Sequence, residues 1–165
     1  MKSVIVKKLD YEEFRIYGVF ANMLDPKAPK LGAEPVEFFR DMAVLELGNS
    51  SAASFSTCRV LNRELTVTEL EYHNYTGEGM LPVDGDVLLA FARATAGNDL
   101  PADQVEVFYV PKGTFVAIRP GVWHGAPYSA GADCVNTLIV LPERTYANDC
   151  KVFKLSGELC IKIQA

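Results

Sequence analysis

From position 54 onward the chain is a succession of short segments rich in Val, Ile, Phe, Tyr and Thr, each closed off by turn-forming residues. The segments are 54–60, 65–73, 86–94, 105–110, 114–119, 134–141 and 159–163. Between them stand Thr76-Gly77, Asp84-Gly85, Gly97-Asn98-Asp99, Pro111-Lys112-Gly113 and Pro120-Gly121. β-Branched and aromatic side chains suit a pleated, half-buried surface, and Gly, Pro and Asn supply the backbone angles that reverse a chain. Many short strands so punctuated bury their apolar faces only by closing on one another, as a sandwich or a barrel. An all-β protein is expected.

Helix is confined to the beginning. Residues 3–8 read as an opening strand, and Asp10-Tyr11-Glu12-Glu13 has the form of a capping box that starts a short helix. Gly18 is the expected end of that helix. Residues 25–35 carry three prolines and a glycine and should be irregular and exposed. The apolar run 36–47 does not settle between strand and helix.

With 165 residues, one domain spanning 1–165 is expected, large enough to close a core without disulfides. The net charge is −5 and no Lys/Arg run occurs, which argues against nucleic-acid binding, because phosphate contacts need a basic face. Val4-Ile5-Val6 is too short for a signal-peptide core, and no stretch approaches the roughly 20 apolar residues of a membrane helix. Cys58, Cys134, Cys150 and Cys160 lie far apart, as reduced thiols of a cytoplasmic protein do.

The chain has two histidines, each beside a strand-to-turn signal. The first closes Glu69-Leu70-Glu71-Tyr72-His73. Alternation in an extended segment puts Leu65, Val67, Glu69, Glu71 and His73 on one face, apolar at one end and polar at the other. A barrel strand running from a packed interior to an open mouth has this pattern. The second follows Arg119-Pro120-Gly121-Val122-Trp123. Pro-Gly after a strand marks a type II turn, which sends the chain back so that His124 approaches His73. Trp123, the single tryptophan, reads as a core residue.

These spacings resemble the two motifs of the cupin family. Glu71-x-His73, four residues, Glu78, six residues and Gly85 follow the first, with Glu71 where the family has a histidine. Gly113, five residues, Arg119-Pro120-Gly121, two residues and His124 follow the second, with Arg119 in place of Pro and Tyr128 in place of Asn. The resemblance implies a cupin-type double-stranded β-helix, a jelly-roll barrel. It also implies a divalent metal held by Glu71, His73, Glu78 and His124, with no organic cofactor. Two imidazoles and two carboxylates suit Mn, Fe, Ni or Zn. A metal-free pocket, in which the histidines simply bond the carboxylates, stands beside that reading.

A narrower resemblance runs along most of the chain. The opening Leu9 to Gly18, then Glu69-Leu70-Glu71-Tyr72-His73, Met80-Leu81-Pro82 and Gly121-Val122-Trp123-His124, look like segments of ureidoglycolate lyases in family order. The sequence departs from that family at Glu78, where Gln is common, and at Gly125, where a second histidine is common. What the resemblance implies is cleavage of a small organic acid, ureidoglycolate, to glyoxylate and urea, a step of allantoin and purine breakdown. Glu71, His73 and His124 would be catalytic there. One group must take the hydroxyl proton while another protonates the leaving nitrogen, and a guanidinium should hold the carboxylate. Arg59 and Arg119 are the candidates, Arg119 because it shares a strand face with Phe115 and Ala117. A non-catalytic cupin binding a sugar or organic acid, and a metal-dependent sugar isomerase or epimerase, are the alternatives. A homodimer is implied as well, with residues 3–8 as a swappable edge.

Overall fold

The computed structural model describes residues 2–165. Strand β1 (Lys2–Lys8) leads through helix α1 (Tyr11–Phe14) to β2 (Gly18–Asn22), and a small hairpin follows, β3 (Lys30–Ala33) and β4 (Val36–Phe39). The succession continues with β5 (Ser54–Leu61), β6 (Thr66–Val67), β7 (Glu69–Tyr72), β8 (Glu78–Pro82), β9 (Val87–Ala92), β10 (Glu106–Val110) and β11 (Thr114–Ile118). Then come β12 (Trp123–His124), β13 (Tyr128–Ser129), β14 (Cys134–Leu141), helix α2 (Thr145–Asn148), β15 (Lys151–Lys154) and β16 (Ile161–Gln164).

Apart from the separate β3–β4 hairpin, the strands form two curled sheets. One runs β15-β7-β12-β9-β10-β1-β16-β6, with β13 also on β9, and the other runs β2-β11-β8-β14-β5. Their facing sides supply the first core: Leu89 and Phe91 of β9 and Phe108 of β10 meet Met80, Val116, Ile118 and Ile139 from the second sheet. Phe14 of α1 fills the middle, its ring centroid 5.3 Å from Phe91 and 5.4 Å from Phe108. Large buried apolar side chains are each worth about 1.5–3 kcal/mol, so this layer sets the barrel's closure. The expected all-β jelly-roll barrel of cupin type is what the chain forms.

The first sheet is buried on its other face too. Leu88, Ala90 and Ala92 pack there against Leu70, Tyr72, Trp123, Ile161 and Ile163. This second layer exists because β1 changes partner along its length, pairing with β16 over its first half and with β10 over its second. β16 and β6 are thereby carried across the back of the sheet. Residues 3–8 thus pair with one strand at a time, the first half with β16 and the second with β10, which leaves one edge of each half without a strand partner among the described residues.

Four local expectations are corrected. Asp10 does cap α1, its carboxylate accepting from the Glu12 and Glu13 amides, but Glu13 turns to Lys7 instead of closing a capping box. Gly18 does not end the helix. It opens β2, where a Cβ would lie 2.0 Å from the Ala117 carbonyl oxygen, so glycine is required by close strand packing. The segment 65–73 is two strands broken at Thr68: β6 pairs with β16, whereas β7 pairs with β12 and β15. The break shifts the alternation, so that Val67 and Leu70 are both buried while Glu69 is exposed. The last strand begins later than expected, after a single helical turn at Gly157–Leu159.

Candidate metal centre

Glu71 lies on β7, His73 directly after it, Glu78 opens β8 and His124 ends β12. Strand pairing brings them together. β12 lies between β7 and β9, with His124 opposite Glu71 on one side and Phe91 on the other. The Pro120-Gly121 turn delivers His124: Gly121 has φ +79, and its amide donates to the His73 carbonyl at 2.6 Å, tying the two histidine-bearing loops together. His73, Glu78 and His124 are buried, and the Glu71 side chain keeps 25% of its surface.

One ligand atom from each of the four residues lies within 4.8 Å of all the others. Glu78 Oε2 is the hub, 3.0 Å from His73 Nε2 and 3.1 Å from His124 Nε2. Glu71 Oε1 stands 3.9 Å from His124 Nε2. Each imidazole meets a backbone carbonyl through its other nitrogen, His73 Nδ1 at 2.6 Å from Asp149 O and His124 Nδ1 at 2.9 Å from Val122 O. With Nδ1–H donated to a carbonyl, each Nε2 can give a proton to Glu78 in the metal-free protein or, once that proton is lost, offer its lone pair to an ion at the point where both converge with the carboxylates. Borderline nitrogen and hard oxygen donors in this arrangement fit a divalent Mn, Fe, Ni or Zn ion.

The electrostatics agree with tight coupling. Burial alone would raise the Glu78 carboxyl, but His124 and then His73 outweigh it and hold the group down at about 2. Burial likewise works against charge on His124, and Glu78, the Val122 carbonyl and Glu71 outweigh that, so its pKa is raised.

Three residues without a sequence signal complete the surroundings, one within α2 and two directly after it. The Cys150 thiol donates to Glu71 Oε2 at 3.1 Å. Burial, followed by the bond to Glu71 and the nearby carboxylates, pushes that thiol up to about 12. Asp149 accepts from the Asn74 and Tyr75 amides, both at 2.8 Å, which pins the loop after His73. Tyr146, 58% exposed overall, meets His73 edge-on with ring centroids 6.0 Å apart, and partial desolvation on that side together with Glu78 and Glu71 raises its phenol. No local pattern links positions 146–150 to His73; they arrive because β15 pairs with β7.

The two arginines expected to hold a carboxylate are not brought to the cluster. Arg59 is exposed on β5, its Nε donating to Asn136 Oδ1 at 3.1 Å, while Cys58 and Val60 point inward. Arg119 does share a face with Phe115 and Ala117, but Val116 and Ile118 are the residues that enter the core. The Arg119 guanidinium bonds the Arg15 carbonyl at the surface.

The model of a family described as a domain of unknown function, DUF4867, matches residues 35–158. No curated protein sequence matches significantly. A dTDP sugar isomerase from Desulfovibrio desulfuricans G20 superposes with TM-score 0.51 at 12% identity, over 86% of each chain. QdtA, a sugar 3,4-ketoisomerase from Thermoanaerobacterium thermosaccharolyticum, gives TM-score 0.45 at 11% identity over 81% of this chain and 85% of its own. Oxalate decarboxylase of Bacillus subtilis, described with Mn(II) centres, gives TM-score 0.40 at 15% identity over 61% of this chain and 24% of its own. At 12% identity the likeness to the first of these is one of fold alone, in line with the expected barrel. Among the described residues no helix is long and apolar enough to cross a membrane.

Proposed function

From a chain that belongs to the DUF4867 family and closes a cupin barrel over this cluster, we propose an isomerase of small uncharged hydroxycarbonyl compounds, sugars foremost. A divalent metal held by Glu71, His73, Glu78 and His124 is part of the proposal. The observation that carries it is the charge pattern of the site. Among the described residues, the cluster's hydrogen-bond partners are imidazoles, backbone carbonyls and a thiol, with no Lys or Arg. Two carboxylates offset the charge of a divalent ion, so the loaded site is neutral overall. A neutral site without a guanidinium fork favours a polyhydroxylated neutral molecule over a carboxylate or phosphate.

A bound ion would polarise a carbonyl oxygen and ease proton loss from a neighbouring hydroxyl. The protein's own groups then divide the remaining work. Glu78, ionised between the histidines, keeps both Nε2 atoms aimed. Glu71, the most exposed of the four, takes a proton from the hydroxyl-bearing carbon and returns it to the former carbonyl carbon. Tyr146, beside His73, donates to the substrate oxygen that gains a proton, and the hydroxyl that becomes the new carbonyl restores it. The fold likeness to a dTDP sugar isomerase is compatible with this class of chemistry on the barrel.

Cleavage of ureidoglycolate is the second reading. Two of the segments that resemble ureidoglycolate lyases, 69–73 and 121–124, carry three of the cluster's residues, which favours it. The outward Arg59 and Arg119 weigh against it. One experiment separates the two. The purified protein, assayed for bound metal and then supplied with Mn, Fe, Ni or Zn, is incubated in D₂O with a panel of neutral aldoses and ketoses and, separately, with ureidoglycolate. Deuterium at the carbon next to the carbonyl, lost in a Glu71→Gln variant, is the expected result. Release of urea and glyoxylate without sugar exchange would establish the lyase instead, and binding without turnover would make the barrel a non-catalytic receptor. All four cysteines are unpaired, which supports a cytoplasmic setting. The homodimer implied by the cupin resemblance is part of the same proposal.

A further inference from the structure

Glu71 occupies the position where the cupin motif has a histidine, and the exchange has a structural consequence. An imidazole in that place would offer one ligand nitrogen. A carboxylate offers two oxygens, and only Oε1 turns toward His124 and the centre of the cluster, at 3.9 Å. The other, Oε2, needs a donor, because a half-buried carboxylate with one free oxygen can rotate and bind in more than one way. The donor is the thiol of Cys150, 3.1 Å away. Cys150 is held by its neighbour: the Asp149 carbonyl faces His73 Nδ1 at 2.6 Å, and the Asp149 carboxylate takes the Asn74 and Tyr75 amides. One dipeptide between α2 and β15 thus touches the outer side of two of the four ligands.

We propose that Cys150 is a positioning residue for the metal centre, its thiol orienting Glu71 so that Oε1 faces the ion, and that it is required because Glu71 replaces a histidine. The inference rests on the metal reading above. It predicts coupling between positions 71 and 150. Outer hydrogen bonds to metal ligands are typically worth about 10–100-fold in affinity.

The test is a double-mutant cycle read by calorimetric titration of the full-length, chelator-stripped protein with Mn(II) and Zn(II), with thermal melts as folding controls. Cys150→Ala should weaken binding by about 10–100-fold. Cys150→Ser, which keeps a short donor, should restore it to within a few-fold. In a Glu71→His background, Cys150→Ala should leave the affinity unchanged, because no second oxygen remains to be held. The Mn(II) electron paramagnetic resonance spectrum should broaden in Cys150→Ala and return in Cys150→Ser. Unchanged affinity in Cys150→Ala, no rescue by serine, or an equal loss in the Glu71→His background would each overturn the positioning role while leaving the metal centre standing. Absence of any metal binding by the wild-type protein would overturn the centre and the positioning role together.

Discussion

Replacing Glu78 by Gln in chelator-treated protein separates the charge of the central carboxylate from its shape. Glu78 is 3% exposed, and Oε2 accepts from both imidazoles, at 3.0 and 3.1 Å. Two lines of arithmetic give the cost. A hydrogen bond to a charged group is worth about 1.5–3 kcal/mol and a neutral one about 0.5–1.5, so making two bonds neutral forfeits about 2 kcal/mol. The second starts from the same two bonds: burial would lift the Glu78 carboxyl, yet His124 and His73 hold it at about 2 in place of 4.5. That displacement is a preference of about 3 kcal/mol for the ionised form, which Gln cannot adopt. Glu78→Gln should therefore destabilise the metal-free fold by about 2–3 kcal/mol at pH 7. Glu78→Ala should cost about 2 kcal/mol more, because both imidazoles lose their acceptor. The folded pKa lies below the unfolded one, so the stabilisation is complete above the ordinary carboxylate range and is lost as pH falls toward 2. Urea unfolding with excess chelator measures it. With a slope of about 2 kcal/mol per molar, the Gln variant should shift the midpoint by about 1 M at pH 7. The gap should shrink by about half or more at pH 3. Coincident midpoints at pH 7, or a gap that persists unchanged at pH 3, would refute the charged bridge.

Away from the cluster, Glu106 accepts from Lys7 Nζ and from the Tyr17 hydroxyl, both at 2.8 Å. Burial opposes its ionisation, but Lys7 and Tyr17 prevail and lower its pKa. Glu106→Gln should cost about 1 kcal/mol at pH 7, and the difference should vanish as pH falls through the lowered carboxylate range in the same urea assay. Phe91→Ala removes a fully buried ring that packs on Phe14 and Tyr17, opposite His124 across the β9–β12 pairing. It should cost about 4 kcal/mol and lower the melting temperature by about 10 °C in a thermal scan. Arg59→Ala and Arg119→Ala, both at the surface, should change metal affinity by less than about twofold in titration.

Much of the barrel was legible from local pattern. Strand segments between 54 and 141 fall close to their expected positions because β-branched runs and Gly/Pro turns act over a few residues. The turn before His124 was legible for the same reason: proline presets φ and Gly121 takes the positive φ of +79. Spacing alone brought Glu71, His73, Glu78 and His124 to attention, and all four meet at one place in the fold.

Alternation states which residues share a face but not which face is the core. That is why Arg119, correctly grouped with Phe115 and Ala117, proved to point outward: the inward side of β11 was settled by Met80, Phe91 and Phe108 from other strands. A sheet buried on both sides removes even the contrast between faces, as in β9, where Val87 to Ala92 are all buried. The break at Thr68 likewise follows from two different pairing partners, β16 and β12, which no local pattern specifies. Cys150 and Tyr146 lie more than seventy positions beyond the ligands they adjoin, and only the β15–β7 register carries them there. Short-range residue choice was sufficient for the strands, the turns and the four converging ligands, because those depend on backbone angles and side-chain period. The side each strand presents, and the donors that hold the ligands from outside, depend on long-range pairing and burial, so only the folded chain decided them.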